Sequence, residues 1–202
     1  LEAMQEGQVT VGGETHRLPL PFAVVATQNP IELEGTFPLP EAQLDRFLFK
    51  LIVAAPDVPA LVRILDATTG APVEAPSALL SGDEVRELQA LARQVLCGEH
   101  LLRAIALLLR ASDPTGPDAD AETRRFVRYG ASPRGGQAMV LAAKVLALLD
   151  ARPHVTRADI ERAALPALRH RVALTFEAEA EGVTVERLVE RWLAAALRAA
   201  GS

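Results

Sequence analysis

Beyond Ser81 the apolar residues return every three or four positions almost to the end of the chain, so this half can bury its hydrophobic surface only by packing helix on helix. Ser81 opens the region with a three-residue spacing to Glu84 that suits a capping box, and Leu88, Leu91, Ala92 and Val95 continue at helical spacing. Further helices are predicted at about residues 101–110, 133–150, 157–168 and 185–199, and residues 113–120, rich in proline and aspartate, form a loop. Trp192 and Leu193 share an apolar stripe with Leu188, Val189 and Leu197 and belong to the core. Aromatic residues make up only 4% of the 202 residues while Ala and Leu dominate, which argues against a β-sandwich.

The first half reads differently. Residues 8–18 alternate around Gly12-Gly13, the pattern of a β-hairpin whose two central residues take positive φ. Pro19 and Pro21 then break the chain before residues 22–27, Phe22-Ala-Val-Val-Ala-Thr27, whose lack of alternation predicts a central strand covered on both faces. A short helix at about 41–47 and a second buried strand at 48–53 complete the end of an α/β domain, followed by a connecting helix at 57–66 and a loop at 68–77. The expected fold class is therefore α/β followed by an all-α domain, divided as residues 1–70 and 71–202. Leu1-Glu-Ala-Met-Gln-Glu6 reads as the last turns of a helix without an N-cap, so the chain is expected to be the C-terminal part of a longer protein.

A net charge of −5 argues against a broad nucleic-acid surface. Cys97 is the only cysteine and is expected to be a buried structural thiol, and the four histidines show no metal-ligand spacing, so no metal site is inferred. No apolar run is long enough to span a bilayer and no signal peptide opens the chain, so a cytoplasmic protein is expected, without membrane insertion.

Three residues stand out chemically. Asn29 falls at the C-terminal end of the first predicted strand, where open α/β sheets bind ligands; its amide could donate to a phosphate oxygen and accept from an attacking water, or merely close an Asn-Pro turn. Arg46 follows a segment in which Leu44 and Phe47 would hold one face against the core, so it could project from an edge as an arginine finger or pair with Asp45 or Glu41. Arg134 occupies the second position of a helix capped by Ser132-Pro133, where a cation opposes the helix dipole unless an anion sits there too. Gly135 and Gly136 cost that helix roughly 1 kcal/mol each relative to alanine, which close approach of a ligand or a neighbouring backbone could justify. Arg124, Arg125 and Arg128 are read as a solvated face.

Together, Leu1–Glu6, Gln8-Val-Thr-Val-Gly-Gly-Glu-Thr15, Ala26-Thr-Gln-Asn-Pro-Ile-Glu32, Glu34-Gly-Thr-Phe-Pro-Leu-Pro-Glu-Ala-Gln-Leu-Asp-Arg-Phe47 and Tyr129-Gly-Ala-Ser-Pro-Arg134 closely resemble the MoxR family of AAA+ ATPases, most specifically within residues 1–53. The resemblance implies an AAA+ P-loop core ending in a helical lid, with Asn29 as sensor 1, Arg46 as the arginine finger and Arg134 as the sensor 2 arginine. It implies ATP and Mg2+, held mainly by Walker A and Walker B residues that do not occur in these 202 residues, so the chain alone is expected to be inactive. It implies a ring, a hexamer, in which Asn29 and Arg134 serve their own subunit's nucleotide and Arg46 the neighbour's. A chaperone-like task follows, commonly on a client containing a von Willebrand factor A domain. A magnesium-chelatase-like subunit and a non-enzymatic interaction scaffold are the alternatives.

Overall fold

The computed structural model describes residues 2–28, 39–70 and 77–201. The chain begins with α1 (Glu2–Glu6), then the hairpin β1 (Gln8–Val11) and β2 (Glu14–Arg17), in register from Gln8 opposite Arg17 to Val11 opposite Glu14. Gly12 and Gly13 turn it with φ of 61° and 89°, the conformation that the glycine pair predicted. The Glu2 carboxylate accepts from Thr10 N, Thr10 Oγ1 and Gln8 Nε2, which ties the hairpin to α1.

Short α2 (Glu41–Leu44) continues into a turn through Phe47, and α3 (Val58–Thr69) is capped by Asp57, whose side chain accepts from Ala60 N. Then come α4 (Gly82–Gln94), α5 (Glu99–Ser112), α6 (Ala121–Phe126), β3 (Val127–Tyr129), α7 (Pro133–Leu149), α8 (Arg157–Leu168), β4 (Ala173–Leu174), α9 (Phe176–Ala180) and α10 (Val185–Ala200). The Ser81–Glu84 capping box is complete. The small antiparallel ladder of β3 with β4 was not anticipated, since three- and two-residue strands leave no periodic signal.

The core lies in the helical part, where α5 packs along α10 and α7 along α8. Leu108, Met139, Ile160, Leu168, Leu188 and Val189 are fully buried there. Trp192 joins them and donates its Nε1–H to Thr123 Oγ1 at 2.9 Å, which satisfies the one polar atom the indole carries inward.

Two expectations need correction. Neither residues 22–27 nor residues 48–53 form strands, and both runs are largely exposed, with Val25 and Val53 each at 91%. A strand exists through ladder hydrogen bonds to a neighbour, and among the described residues neither segment has one. Continuous apolarity told that these runs suit a covered position; it could not supply the element that covers them. The exception is Phe49, which packs on the helical core.

The second correction concerns Gly135 and Gly136. Among the described residues the atoms nearest to them are side-chain atoms: a Cβ at Gly135 would sit 2.8 Å from Leu168 Cδ2 and 3.1 Å from Arg171 Cδ, and one at Gly136 would sit 2.8 Å from Leu109 Cδ1. The glycines admit side chains from α8 and α5. Gly135→Ala is therefore expected to lower stability by about 1 kcal/mol, because overpacking of roughly 1–3 kcal/mol exceeds the helix-propensity gain of roughly 1 kcal/mol; the urea midpoint of the variant reads this directly.

Candidate functional site

The end of α2 meets the N-terminus of α7 at Asp45. Its carboxylate accepts from Ser132 Oγ at 2.9 and 3.0 Å, from Arg171 Nε at 2.9 Å and from Arg134 Nη1 at 3.4 Å. Ser132 is the N-cap of α7, and its Oγ also accepts from Arg134 N at 3.2 Å, while its carbonyl accepts from Gly135 N. The anion demanded at this helix N-terminus is thus Asp45 of the chain itself, and the amides of Arg134 and Gly135 are already satisfied.

Burial alone would raise the Asp45 carboxyl, but the hydrogen bonds from Ser132 and Arg171, the charge of Arg171 and the contact with Arg134 outweigh it and hold the group below its ordinary value. Arg171 is buried, with its side chain 3% exposed, and burial pulls its guanidinium down against the opposing pull of Asp45. Arginine starts so far above neutrality that it stays charged.

Arg171 uses all five of its N–H donors. Beyond Asp45 Oδ1 they reach the carbonyls of Asp45 at 2.8 Å, Phe47 at 2.7 Å, Leu48 at 3.2 Å and Ala167. The neighbouring residues act on the same segment: His170 Nε2 donates to Phe47 O at 2.9 Å, Arg169 Nη1 to Lys50 O at 3.3 Å, and Lys50 N to Pro166 O at 2.9 Å. The end of α8 therefore straps residues 45–50 onto the helical domain.

Of the three residues singled out in the sequence, Asn29 lies outside the described residues. Arg46 sits between the strapped carbonyls of Asp45 and Phe47, half-buried, with its Nε shut away from solvent and without an acceptor. Among the described residues it makes no ion pair, because Asp45, one of the partners open to it in sequence, is taken by Ser132, Arg171 and Arg134. Arg134 has a side chain 50% exposed and, among the described residues, only the 3.4 Å side-chain contact with Asp45. The structure links Arg134 to Asp45, the residue that precedes Arg46. Asp45, His170 and Arg171 were not singled out; the only trace of the last two was a basic cluster after α8, which reads equally well as a complement to the helix dipole.

Two of the basic residues that precede α7 are structural. Arg125 pairs with Glu177 and Glu181 and lies over the Phe126 ring, and Arg124 donates to the Ala119 and Gly116 carbonyls. The Cys97 thiol is half-buried and burial raises it, with Lys144 opposing, as suits an unreactive thiol.

His170 carries a pH consequence. Burial lowers its pKa below the ordinary 6.5, and Arg171 and Lys50 add to this against the Phe47 carbonyl and Asp45. The folded state then binds this proton less readily than the unfolded state, so stability rises with pH up to about 6.5 and is lost on acidification below it. Urea midpoints between about pH 5 and about pH 8 should fall on the acid side more for the wild type than for His170→Gln.

Comparison with known proteins agrees with this architecture. Residues 1–49 match the model described as "ATPase family associated with various cellular activities (AAA)", and residues 119–192 match the AAA lid domain. The class is thus an α/β AAA core followed by a helical lid. The chain is similar to Chaperone MoxR1 of Mycobacterium tuberculosis, 38% identical over 96% of this chain and 51% of the relative, and to the uncharacterized protein YeaC of Bacillus subtilis, 38% identical over 96% of this chain and 58% of that one. A crystal structure from Cytophaga hutchinsonii superposes with a TM-score of 0.87 at 35% identity, covering 95% of this chain and 58% of the other. The chain belongs to the MoxR family of AAA+ ATPases. It spans about half the length of the curated relatives it matches. No helix among the described residues is long and apolar enough to cross a membrane.

Proposed function

We propose that this chain carries the phosphate-reading, trans-acting edge of an ATP-hydrolysing ring. The observation that carries the reading is Arg46: its half-buried side chain has no ion-pair partner among the described residues while its backbone is fixed on both sides, an arrangement that leaves the charge for an anion brought by another molecule. When bound, ATP supplies the γ-phosphoryl group on which negative charge is redistributed during transfer. Arg46 would place its fork against that charge across the subunit boundary.

Arg134 reaches Asp45, the residue that leads into Arg46. We therefore assign it to the neighbour's nucleotide alongside Arg46, in place of its own subunit's. Asp45 is less tightly held by Arg134 at 3.4 Å than by buried Arg171 at 2.9 Å, so a phosphate recruiting Arg134 displaces the weakest of the three contacts. Asn29 keeps the sensor 1 role by resemblance, ordering the lytic water of its own subunit.

Mg2+ does not fit this site: the one carboxylate is committed to Ser132 and two arginines, and the surroundings are cationic. No step is assigned to a metal here. Similarity to a protein described as a chaperone supports a remodelling task, and a hexameric ring with a von Willebrand factor A domain as the client follows by family resemblance alone.

The test is phosphate release from ATP by the full-length gene product over a range of protein concentrations. Specific activity should rise as subunits assemble, because each site needs its neighbour's arginines. An assembled ring that releases no phosphate would overturn the reading.

A further inference from the structure

We propose that Arg171 is a positioning residue for Arg46, passing the orientation of the helical lid to the arginine finger; this rests on the finger reading above. Its five donors are divided between one carboxylate oxygen and four carbonyls. Three of those carbonyls, from Asp45, Phe47 and Leu48, belong to the peptides around Arg46. Arg46 thus has its main chain gripped before and after it, while its own side chain is left without a described partner.

A buried ionic group is not what such a junction needs for stability alone, since apolar residues of similar volume often serve as well or better. What the guanidinium adds is direction: a planar fork whose donors fix several acceptors at once. The other end of the contact is equally defined. The stem of Arg171 lies against Gly135, where an added Cβ would come within 3.1 Å of its Cδ, and Asp45 bonds to Ser132 at the same helix start. A rotation of α7 and α8 must therefore move residues 45–48 with them. Lysine, with three donors radiating from one nitrogen, keeps the charge next to Asp45 and cannot span the same acceptors.

The experiment measures kcat and KM for ATP in the full-length protein as wild type, Arg171→Lys, Arg46→Ala and the double variant. Arg171→Lys is expected to lower kcat by about 100-fold, the order of loss that a 1 Å misplacement causes, with KM changed by less than about twofold. The double variant should be no slower than Arg46→Ala alone, because the effect acts through Arg46. An equal loss in both backgrounds, or no loss in the single variant, would overturn the proposal. Full activity in Arg46→Ala would instead remove the finger reading itself, and the proposal with it. Should Arg171→Lys fail to assemble, Asp45→Asn loosens the same tie while keeping its shape, and the same non-additivity with Arg46→Ala is required of it.

Discussion

Arg46→Ala in the full-length protein is expected to lower kcat for ATP hydrolysis by about 1,000-fold, at the lower end of what an arginine finger contributes, with little change in nucleotide affinity. The asymmetry follows from differential binding: a group that acts mainly on charge developing in the transition state changes kcat more than ground-state affinity. The folded subunit should tolerate the change, because among the described residues Arg46 makes no ion pair and its buried Nε has no acceptor to lose. Arg134→Ala should cost less, since its side chain is half-exposed and the contact it loses is the longest of those on Asp45. Steady-state kinetics with ATP varied separate the two effects. Equal losses in kcat and in affinity for Arg46→Ala would assign Arg46 to ground-state binding.

The largest stability effect falls away from the site. Asp159 is 2% exposed and accepts from Arg152 Nη1 and Nη2 at 2.8 and 2.7 Å and from Thr156 N and Oγ1, each at 2.8 Å. It closes the first turn of α8 and pins the loop that follows α7, so one carboxylate holds both flanks of the helix pair. Asp159→Ala should destabilise the protein by about 2 kcal/mol, because it takes the acceptor from the Thr156 amide and leaves Arg152, 27% exposed, with only Asp150 and the His154 carbonyl among its described partners. The hydrogen bonds from Arg152 hold the Asp159 carboxyl far below its ordinary 3.8, with burial opposing and Thr156 adding. Its contribution is accordingly complete above about pH 3.8 and is lost as pH falls through the depressed folded-state value, since the unfolded chain binds the proton first. Urea denaturation of wild type and Asp159→Ala at neutral pH gives the size; repeating it toward acid should show the gap narrowing.

Local chemistry was readable in the sequence wherever a nearby residue decided the structure. Gly12-Gly13 fixed the hairpin register, and Ser81 with Glu84 and Ser132 with Pro133 set helix starts that the structure reproduces. The stripe through Leu188 and Trp192 faced inward as its spacing required. What failed was long-range. Residues 22–27 and 48–53 have the composition of covered strands, but a strand needs a partner that composition does not specify. Gly135 looked like room for a ligand and proved to be room for Leu168 and Arg171. The links from Asp45 to Ser132 and Arg171 cross 87 and 126 residues of sequence, so no motif could pair them, and Asp45 seemed only the neighbour of Arg46. That neighbour turns out to be the anion that Arg134 and the α7 dipole required.

The central claim, that Arg46 acts on the nucleotide of an adjacent subunit, is tested most directly by mixing two inactive full-length variants. One carries Arg46→Ala; the other keeps Arg46 but has the lysine of its nucleotide-binding loop replaced. Mixed rings contain one kind of interface in which an intact nucleotide site faces an intact Arg46, so ATP hydrolysis should reappear on mixing. Mixed rings that assemble and stay inactive at every ratio would contradict the account.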